Sequence, residues 1–410
     1  MSQLLSAQTI ALVKATVPAL QAHGLDIVRE MYARLFQNTA IRDLFNQSHH
    51  ASGSDDVPAQ PRALAMAVLA YASNIENLGA LAPAVERIAQ KHVGLQILPE
   101  HYPHVAEALL GAIKAVLGDA ATDEILAAWG EAYWFLADIL IGREKRIYDD
   151  QRAATGGWNG WRAFNVERRV QESSLITSFI LRPVDGGPVM AHAPGQYLTF
   201  ALDIPGHPPV KRNYSISSAA NGETYRISVK REDHGLASGW LHDHATEGSV
   251  LQLAAPAGEF TLKDGASPLV LLSGGVGLTP MVAMLETLVS SGSRRPVHYI
   301  HGTHDRNTHA LREEVAALAG TLLQRGVGAR VSIFHQNPLS IEQAGRDYDH
   351  AGIITEDWLI TNTDPARAEY YLCGPRPFLR HAVSALSLAG VPADRIHYEF
   401  FGPADELLAA

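Results

Sequence analysis

One histidine of this chain ends an apolar helical stripe, where its imidazole could act as a ligand for iron. In Val85–Val93 (VERIAQKHV), three apolar residues and His92 recur at helical spacing, so they share one face. Pro83 suits the first position of that helix. The residues expected to face solvent are Glu86, Arg87, Gln90 and Lys91. A neutral imidazole on an apolar wall can be an axial haem ligand, but the same pattern also describes a hydrogen-bonded core histidine.

A second candidate for chemistry is the glycine-rich loop Gly274–Pro280 (GGVGLTP), which follows an apolar strand and opens a helix. Glycines there let backbone N–H groups approach a pyrophosphate, and a helix N-terminus favours negative charge. The glycine spacing is not that of the dinucleotide fingerprint, so a purely structural turn is the alternative. The turn Cys373–Pro375 follows another strand, although Cys373 could be only a small core residue. Because ligands bind at the carboxyl ends of such strands, the two turns could frame one nicotinamide.

The N-terminal part of the chain must position the histidine, and its pattern is helical from Ser6 to about Asp150. The last predicted helix follows Thr122, a possible cap, and carries Glu144 on the same face as Trp129 and Leu140. A carboxylate on that face should meet a buried partner, because leaving it unpaired costs on the order of several kcal/mol.

The remaining chain changes pattern twice. After a glycine- and tryptophan-rich junction at Gly156–Trp161, short strands with turn signals predict a small antiparallel barrel. Asn221-Gly222 predicts a two-residue hairpin between RNYSIS and TYRISVK. From Pro268, strands and helices alternate, which predicts a parallel sheet with crossover helices. The predicted domains are therefore an all-α domain at 1–150, a β-barrel at 151–265 and an α/β domain at 266–410.

Composition narrows the class of protein. The 410 residues suffice for two or three domains. The formal net charge of −10 argues against a nucleic-acid partner. The sequence contains one cysteine, Cys373, so no intrachain disulfide can form and a reducing compartment is expected. We see neither a signal peptide nor an apolar run of the roughly 20 residues that a membrane span needs. A cytoplasmic protein that does not span a membrane is expected.

The loop Gly274–Pro280, the turn Cys373–Pro375 and the motif RNYS at Arg212–Ser215 together resemble the ferredoxin–NADP⁺ reductase family in order and spacing. The resemblance implies that Tyr214 packs on a flavin ring, that Ser215 bonds near its reactive nitrogen, and that Arg212 pairs with the FAD pyrophosphate. The implied FAD-binding residues are Tyr197, Arg212, Asn213, Tyr214, Ser215, Ser238, Phe400, Phe401, Gly402 and Pro403. The implied NAD(P)-binding residues are Gly274, Gly275, Val276, Gly277, Leu278, Thr279, Cys373, Gly374 and Pro375.

Joined to such a reductase, the N-terminal helices resemble a globin, and the whole chain resembles the flavohaemoglobins, a family of bacterial and fungal nitric oxide dioxygenases. The matching segments are MYARLF, YASNIENL, RIAQKH, PEHY, AWGEAY and REKRIY. The resemblance implies haem b, FAD and NAD(P)H as cofactors, with a globin domain, an FAD-binding barrel and an α/β NAD(P)-binding domain.

The same resemblance assigns roles around the haem. His92 becomes the proximal iron ligand, and Tyr102 and Glu144 become its hydrogen-bond partners, which fix the tautomer and strengthen electron donation. This favours chemistry on dioxygen over reversible storage. Tyr32 matches the distal tyrosine that donates to dioxygen, so Tyr32, Tyr102 and Glu144 are the implied catalytic residues. Residues implied to tune the haem and flavin are Lys91 and Glu399, although Lys91 could also be only a solvated lysine.

Gln60 and Leu64 complete the implied distal pocket, but Gln60 departs from the simple pattern. Pro61 follows it and disfavours a helical conformation of the preceding residue, while Pro58 lies close before it. The helix could therefore begin at Pro61, which would leave Gln60 at its cap and could turn its side chain away from the iron. Trp134 is a second departure, since the family often has a small residue there.

The function that the resemblance implies is oxidation of nitric oxide to nitrate. NAD(P)H reduces FAD, the flavin passes electrons singly to the haem, and ferrous haem with bound dioxygen reacts with nitric oxide. Two alternatives stay open: a haem-based oxygen or redox sensor, and a flavin-dependent reductase of peroxides or quinones. A lipid could also occupy the distal pocket. The sequence does not choose between NADH and NADPH, and Arg306 is ambiguous in that respect.

Overall fold

The computed structural model describes residues 5–45 and 59–402, except the side chains of Ala59, Gln60 and Leu78. These residues form two compact units. The first consists of the described part of Met1–Ala153 together with Ala201–Arg212. The second consists of Ala154–Phe200 and Asn213–Gly402.

The first unit is helical over its N-terminal part, as the periodicity predicts. Among its described residues the helices are α1 Ala7–Ala15, α2 Val17–Leu35, α3 Thr39–Arg42, α4 Ala59–Ser73, α5 Ala82–Gly94, α6 Tyr102–Leu117 and α7 Asp123–Ala153. Helix α2 packs against α4 and α6, and α5 packs against α7. Residues Ile27, Val28, Met31 and Tyr32 lie on the buried face of α2, because residues three and four apart share a helix face.

Helix α7 has 31 residues and begins after Thr122, whose hydroxyl accepts a hydrogen bond of 3.3 Å from Ile125 N. The predicted cap is therefore present. Within the described ranges, α7 alone meets the length and hydropathy criteria for a membrane-crossing helix. Core helices of globular domains meet the same criteria. The buried residues of α7 include Trp129, Leu140 and Glu144.

Helix α4 differs from the prediction at its start. It begins at Ala59, two residues before Pro61, so Gln60 lies within the helix and not at a cap preceding it. Pro61 is tolerated because the first turn of a helix contains N–H groups that have no intrahelical acceptor, and proline lacks only such a group. The steric preference of the residue before proline does not decide the helix boundary here.

The strands of the barrel are β1 Arg162–Gln171, β2 Ile176–Pro183, β3 Tyr197–Leu202, β4 Val210–Ser215, β5 Tyr225–Lys230 and β6 Val250–Leu253. They form one antiparallel sheet in the order β4-β3-β6-β1-β2-β5. A bridge between Ile216 and Ile227 joins the chain next to the two outer strands, as a closed barrel requires. The short helix α8, Leu236–His244, follows β5.

The predicted two-residue hairpin at Asn221-Gly222 is wrong. Strands β4 and β5 lie at opposite ends of the sheet order, and the chain just after β4 approaches β5 at residues 216–217 and 226–228. Asn221 does form a turn, because its side-chain oxygen accepts bonds from the N–H groups of Glu223 at 2.8 Å and Thr224 at 2.9 Å. Closure of the barrel, and not a local turn, decides which strands pair.

The α/β part of the second unit contains a parallel sheet in the order β10-β9-β8-β7-β11-β12. Its strands are β7 Leu269–Gly274, β8 Val297–Thr303, β9 Ala329–His335, β10 His350–Ala351, β11 Glu369–Cys373 and β12 Ile396–Glu399. Its helices are α9 Leu278–Ser290, α10 Arg312–Gln324, α11 Glu356–Asn362 and α12 Arg376–Leu388. The order reverses between β7 and β11, and such a switch point is where ligands bind in sheets of this kind. The predicted fold class is thus confirmed.

Candidate active site

His92 lies in the last turn of α5, next to a carboxylate on α7. Its Nδ1 lies 2.8 Å from Glu144 Oε1 and 3.2 Å from the Tyr102 hydroxyl. The Tyr102 hydroxyl donates to the same carboxylate oxygen at 2.6 Å. Glu144 is 2% exposed, so the buried partner expected for this carboxylate is present. The structure brings together His92, Tyr102 and Glu144, as the sequence predicts.

The charges of this cluster fix the direction of its hydrogen bonds. Burial, followed by the nearby Glu144 carboxylate, raises the pKa of Tyr102 far above its ordinary value. Tyr102 therefore keeps its proton and donates it to Glu144. The second carboxylate oxygen, Oε2, is buried and has no hydrogen-bond partner among the described residues. Glu144 Oε1, as a carboxylate acceptor next to Nδ1, favours a proton on that nitrogen of His92. The other ring nitrogen, Nε2, then keeps a lone pair.

Two tyrosines to which the sequence interpretation assigned no role support the cluster. Tyr133 donates to the Tyr102 carbonyl at 2.7 Å, and Tyr148 donates to the Ile97 carbonyl at 2.9 Å. Tyr148 follows Glu144 by four residues on α7, so helical spacing alone could have placed it on the same face. These bonds fix the backbone at Tyr102 and at Ile97, which lies between His92 and Tyr102.

The surroundings of His92 fit a haem group. Its side chain is 31% exposed, and no described residue bonds to Nε2, so that nitrogen is available to a metal. One apolar cluster of this unit contains Tyr32, another surrounds Tyr102, and Tyr133 and Leu136 pack against both. Within the described ranges no cluster of three or more His, Cys, Asp or Glu side chains could hold a metal. A macrocycle that needs one protein ligand suits these residues.

The predicted distal residues lie on α2 and α4. Tyr32 is 6% exposed, and its ring contacts Phe36 and Phe45 at centroid distances of 5.2 and 5.7 Å. Leu64 packs, partly buried, against the same cluster. The backbone of Gln60 is helical, while its side chain lies outside the described residues. Trp134 is 40% exposed and packs edge-on against Tyr133.

The outer face of α5 is less exposed than predicted. Gln90 is 8% exposed and donates to Glu86 at 2.8 Å. Glu86 in turn accepts two bonds, of 2.6 and 2.8 Å, from Arg143 on α7. The expectation that Gln90 faces solvent is therefore wrong, because this ion pair between helices covers it. Lys91 is half-buried.

The RNYS motif forms the second half of β4. Asn213 accepts a hydrogen bond of 2.9 Å from the Thr199 hydroxyl on β3. The Tyr214 ring packs edge-on against Phe200, with centroids 5.4 Å apart. Ser215 is buried, and the Arg212 guanidinium donates to the Lys211 carbonyl at 2.7 Å. The β3 neighbours therefore hold the side chains that the flavin assignment uses.

Tyr197 and Glu399 approach each other in the second unit. The Tyr197 hydroxyl is buried without a hydrogen-bond partner among the described residues. Burial, and then Glu399, raises the pKa of this hydroxyl above its ordinary value. The same two causes raise the pKa of the Cys373 thiol well above its ordinary value. A buried phenol without a partner costs free energy, and a polar cofactor such as flavin would supply the missing partner.

Ser238 lies in the first turn of α8. Its hydroxyl accepts a 3.2 Å bond from Glu232 N and fixes the turn before this helix. Phe400 lies under the Arg376 guanidinium at 5.9 Å, and Gly402 N donates to the Phe400 carbonyl. Phe401 is 48% exposed. Pro403 lies outside the described residues.

The two glycine turns meet at the carboxyl end of the parallel sheet. Ser273 and Cys373 are paired residues of β7 and β11, so Gly274–Pro280 and Cys373–Pro375 are neighbours. A Cβ at Gly277 would lie 2.1 Å from the Cys373 carbonyl oxygen, so no side chain fits there. Gly275 has φ +54°, which favours glycine. Helix α9 starts at Leu278, and its free N–H groups suit a pyrophosphate.

Two members of this loop set do not offer their side chains to a ligand. Leu278 and Cys373 are both 0% exposed and belong to the apolar core of the sheet. The reading of Cys373 as a core residue therefore holds for its side chain, while its carbonyl helps to shape the turn. Thr279 is 2% exposed and donates to the Val276 carbonyl at 3.1 Å.

A buried group of histidines next to these turns was missed by the sequence interpretation. His335 Nδ1 lies 2.5 Å from Glu342 Oε2, and His335 Nε2 lies 3.4 Å from His309 Nδ1. His301, whose Nδ1 lies 2.9 Å from the Ser273 hydroxyl, packs on His309 at a centroid distance of 5.3 Å. The residues come from separate strands and loops, so no local spacing could have revealed the group.

Comparison with known families agrees with both halves of this description. Residues 29–140 match the family model described as globin. Residues 271–384 match the family model described as oxidoreductase NAD-binding domain. The first match contains His92, Tyr102 and Tyr32, and the second contains both glycine turns.

Solved structures agree as well. The chain is 28% identical to a flavohemoglobin from Malassezia yamatoensis solved with bound FAD and heme, with a TM-score of 0.83, covering 97% of this chain and 100% of that one. It is 36% identical to the FAD/NAD binding domain of a nitric oxide dioxygenase from Vibrio cholerae, with a TM-score of 0.53, covering 59% of this chain and 99% of that one.

Full-length relatives extend the similarity over the whole chain. A flavohemoprotein from Xylella fastidiosa (strain 9a5c) is 51% identical over 411 residues and covers 100% of both chains. One from Pseudomonas aeruginosa is 45% identical over 98% of this chain and 100% of its own, and one from Rhodopirellula baltica is 43% identical over 99% and 100%. With a globin and a reductase half joined in the same order as in these relatives, the chain belongs to the flavohaemoprotein family.

Proposed function

We propose that this protein is an NAD(P)H-dependent nitric oxide dioxygenase that carries haem b and FAD and removes nitric oxide as nitrate. The observation that carries the proposal is His92, whose Nδ1 contacts a buried carboxylate at 2.8 Å while Nε2 is left to a ligand. The reductase half of the same chain supports it, as does the nitric oxide dioxygenase whose FAD/NAD domain is 36% identical to it. The cofactors are those bound in the Malassezia flavohemoglobin, together with a nicotinamide nucleotide.

When bound, NAD(P)H supplies a hydride, FAD converts the two electrons into single ones, and haem iron supplies the dioxygen chemistry that turns nitric oxide into nitrate. The protein contributes ligation, orientation and hydrogen bonds. His92 holds the iron, and Glu144 holds the proton on His92 Nδ1, with Tyr102 donating to the same carboxylate oxygen. The negative charge of the Glu144 carboxylate beside the far nitrogen makes the imidazole a stronger donor, which favours dioxygen chemistry over storage.

We assign Tyr32, on α2, as the residue that would donate a hydrogen bond to the reacting oxygen. The phenol is fixed by two aromatic neighbours, Phe36 and Phe45, so little side-chain entropy is lost when it donates. Leu64 provides an apolar wall, and Gln60, now placed within α4, is proposed as a second polar residue of the pocket. Substitution Tyr32→Phe should raise the dioxygen dissociation rate about tenfold, the effect of one lost hydrogen bond. An unchanged rate would exclude Tyr32 as the donor.

In the reductase half, the residues position two ligands. Tyr214 would pack on the flavin ring, Ser215 would bond near its reactive nitrogen, and Arg212 would pair with the pyrophosphate. Tyr197, Ser238 and Phe400–Pro403 would complete the flavin site. The turns Gly274–Pro280 and Cys373–Pro375 hold the nicotinamide nucleotide through backbone groups. Lys91 and Glu399 are proposed to tune the two redox centres.

The domain limits follow the same assignment. We propose a globin domain at 1–150, an FAD-binding domain at 151–265 and an NAD(P)-binding domain at 266–410. The end of α7 at Ala153 and the start of β1 at Arg162 support the first limit. We also propose a cytoplasmic location, which the single buried cysteine and the requirement for NAD(P)H support.

The experiment that tests the function uses the holoprotein in air. Nitric oxide should cause steady oxidation of NADH or NADPH, with nitrate as the product. Anaerobic titration with each nucleotide beforehand identifies which one reduces the flavin. Reduction without nitric oxide turnover would identify a sensor whose reductase half only resets the iron. Flavin absorption without a Soret band in haem-supplied protein would identify a reductase of peroxides or quinones.

A further inference from the structure

A buried lysine contacts the end of the helix that carries His92. Lys211 on β4 belongs to the first unit and is 9% exposed. Its Nζ donates to the Leu95 carbonyl at 3.2 Å. Leu95 is the C-terminal cap of α5, so the ammonium meets the end of the helix where partial negative charge accumulates.

Taking an ammonium out of water is costly, so this position needs an explanation. The neighbouring residue of β4, Val210, is buried and apolar, so burial in this part of the strand does not by itself require a charged side chain. Among the described residues, the groups that face Lys211 include the Leu95 carbonyl, the Asp43 carboxylate at the end of α3 and the His101 ring before α6. Burial lowers the pKa of Lys211 to about 8, and Asp43 opposes that shift. The lysine is thus mostly charged at neutral pH.

The charge lies at the end of the helix that carries the proposed iron ligand. Leu95 follows His92 by three residues, or about 4.5 Å along a helix axis at roughly 1.5 Å per residue. The His92 imidazole contacts Glu144, whose Oε2 is buried without a partner among the described residues. A buried carboxylate at this position favours ferric iron, because ferric iron has the larger positive charge. A buried cation nearby acts in the opposite direction.

We propose that Lys211 is a redox-tuning residue whose buried ammonium raises the reduction potential of the iron held by His92 and offsets the effect of Glu144. The inference rests on the proposed role of His92. The electron transfer concerned is a single step in which reduced FAD loses one electron and ferric iron becomes ferrous. Lys211 thereby allows a strongly donating histidine to coexist with reduction by a flavin.

The test compares Lys211→Met with Lys211→Arg in the full-length holoprotein. Lys145→Met is the matched control, because Lys145 is next to Glu144 in sequence but is 72% exposed and pairs with Asp149. Midpoint potentials of haem and flavin are measured by spectroelectrochemistry at pH 7. We expect K211M to lower the haem potential, K211R to leave it near the wild-type value, and K145M to have no effect. The flavin potential should stay unchanged in all three.

Three outcomes would overturn the proposal: a wild-type haem potential in K211M, an equal loss in K211R, or a shift confined to the flavin. The last outcome would assign the charge to the FAD pyrophosphate beside Arg212. Thermal unfolding and haem content of each variant report purely structural damage. Such damage would not depend on whether the substituted residue keeps the positive charge of Lys211. The midpoint potentials are measured without nitric oxide turnover. Failure of the proposed function can therefore be distinguished from failure of this proposal.

A second measurement does not depend on the folding of K211M. The wild-type haem potential should fall as pH rises from 7 to 9, because Lys211 loses its charge in that range. Asp43→Asn should move this step to lower pH, since Asp43 favours the ammonium. A wild-type potential that does not change over this range, or a step unmoved in D43N, would contradict the proposal.

Discussion

The two units each contain a histidine paired with a glutamate, and the pairs differ in what the second imidazole nitrogen does. His92 Nδ1 lies 2.8 Å from Glu144, and its side chain is 31% exposed with Nε2 left to a ligand. His335 Nδ1 lies 2.5 Å from Glu342, and both side chains are 0% exposed. His335 Nε2 faces His309, so both nitrogens of that ring are used.

The carboxylates of the two pairs also differ in how many hydrogen-bond partners they have. Glu342 accepts hydrogen bonds from Arg306 N at 2.9 Å and Leu339 N at 3.2 Å besides its histidine. Burial alone would raise its pKa, but these bonds outweigh burial and lower it. Glu144 accepts instead from Tyr102, and its other oxygen has no described partner. An imidazole–carboxylate pair can therefore leave one nitrogen for a ligand, as at His92, or use both nitrogens to join elements of the core, as at His335.

The largest expected effect is that of His92→Ala, which removes the proposed iron ligand. Haem-supplied H92A protein should lose the native Soret band of the wild type. His335→Ala should keep that band, because His335 has no open nitrogen. Haem content and the visible spectrum of both variants check this. An unchanged Soret band in H92A would show that another residue holds the iron.

Removing Glu342 should mainly affect stability. Glu342→Ala leaves His335, Arg306 N and Leu339 N without an acceptor, and breaking a buried pair costs about 3–5 kcal/mol. Hydrogen exchange of β8 and β9 should report this loss, while the Soret band stays native. Glu313→Ala, at an exposed position of α10, is the control. Protection equal to the wild type in E342A would mean that the pair does not hold these strands.

Glu144→Gln should have a smaller effect and leave haem binding intact. The amide keeps a hydrogen-bond acceptor near His92 but removes the negative charge, so the imidazole becomes a weaker electron donor. Loss of such a partner typically costs about 10–100-fold in activity. Nitric oxide-dependent NAD(P)H oxidation measures it, with Tyr133→Phe as a control that keeps the carboxylate. Full activity of E144Q would refute the electron-donation role.

The smallest expected effect is a loss of stability of the second unit in mild acid. Burial lowers the pKa of His301 to about 3 and that of His309 to about 2, from 6.5. The unfolded chain therefore binds more protons below pH 6.5, and stability present above pH 6.5 is lost as pH falls towards 3. At pH 5.5, each of the two histidines lowers the free energy of unfolding by about 1.4 kcal/mol relative to its value well above pH 6.5.

Urea unfolding at pH 5.5, 7 and 8 measures this acid effect. Midpoints at pH 7 and 8 should agree, and the midpoint at pH 5.5 should be lower. The variant H309Q should show a smaller fall than the wild type. Equal midpoints at pH 5.5 and pH 7 would show that the buried histidines do not stay neutral.

Much of the site was visible in the sequence because it rests on local spacing. His92 at the end of its stripe, Glu144 on the inner face of α7 and the glycine turns after buried strands follow from periodicity. The need of Glu144 for a buried partner followed from the cost of burying a charge. The structure supplied that partner as Tyr102 and His92.

The errors arose where distant segments decide the outcome. The Asn221 turn does not form the expected hairpin, because closure of the barrel determines the pairing of β4 and β5. Gln90 is buried because Arg143, on another helix, reaches Glu86. Lys211 and the histidine group at His335 involve residues that are far apart in sequence. Such contacts depend on tertiary packing, which leaves no periodic pattern in the sequence.

The close approach of Gly277 to Cys373 has a consequence for the rate of nucleotide exchange. Because no side chain fits between them, the two turns are already in register before a nucleotide arrives. A preformed cradle spares the ligand the entropic cost of ordering the protein. If the nicotinamide nucleotide binds at these turns as proposed, the two turns themselves need not rearrange to receive or release it.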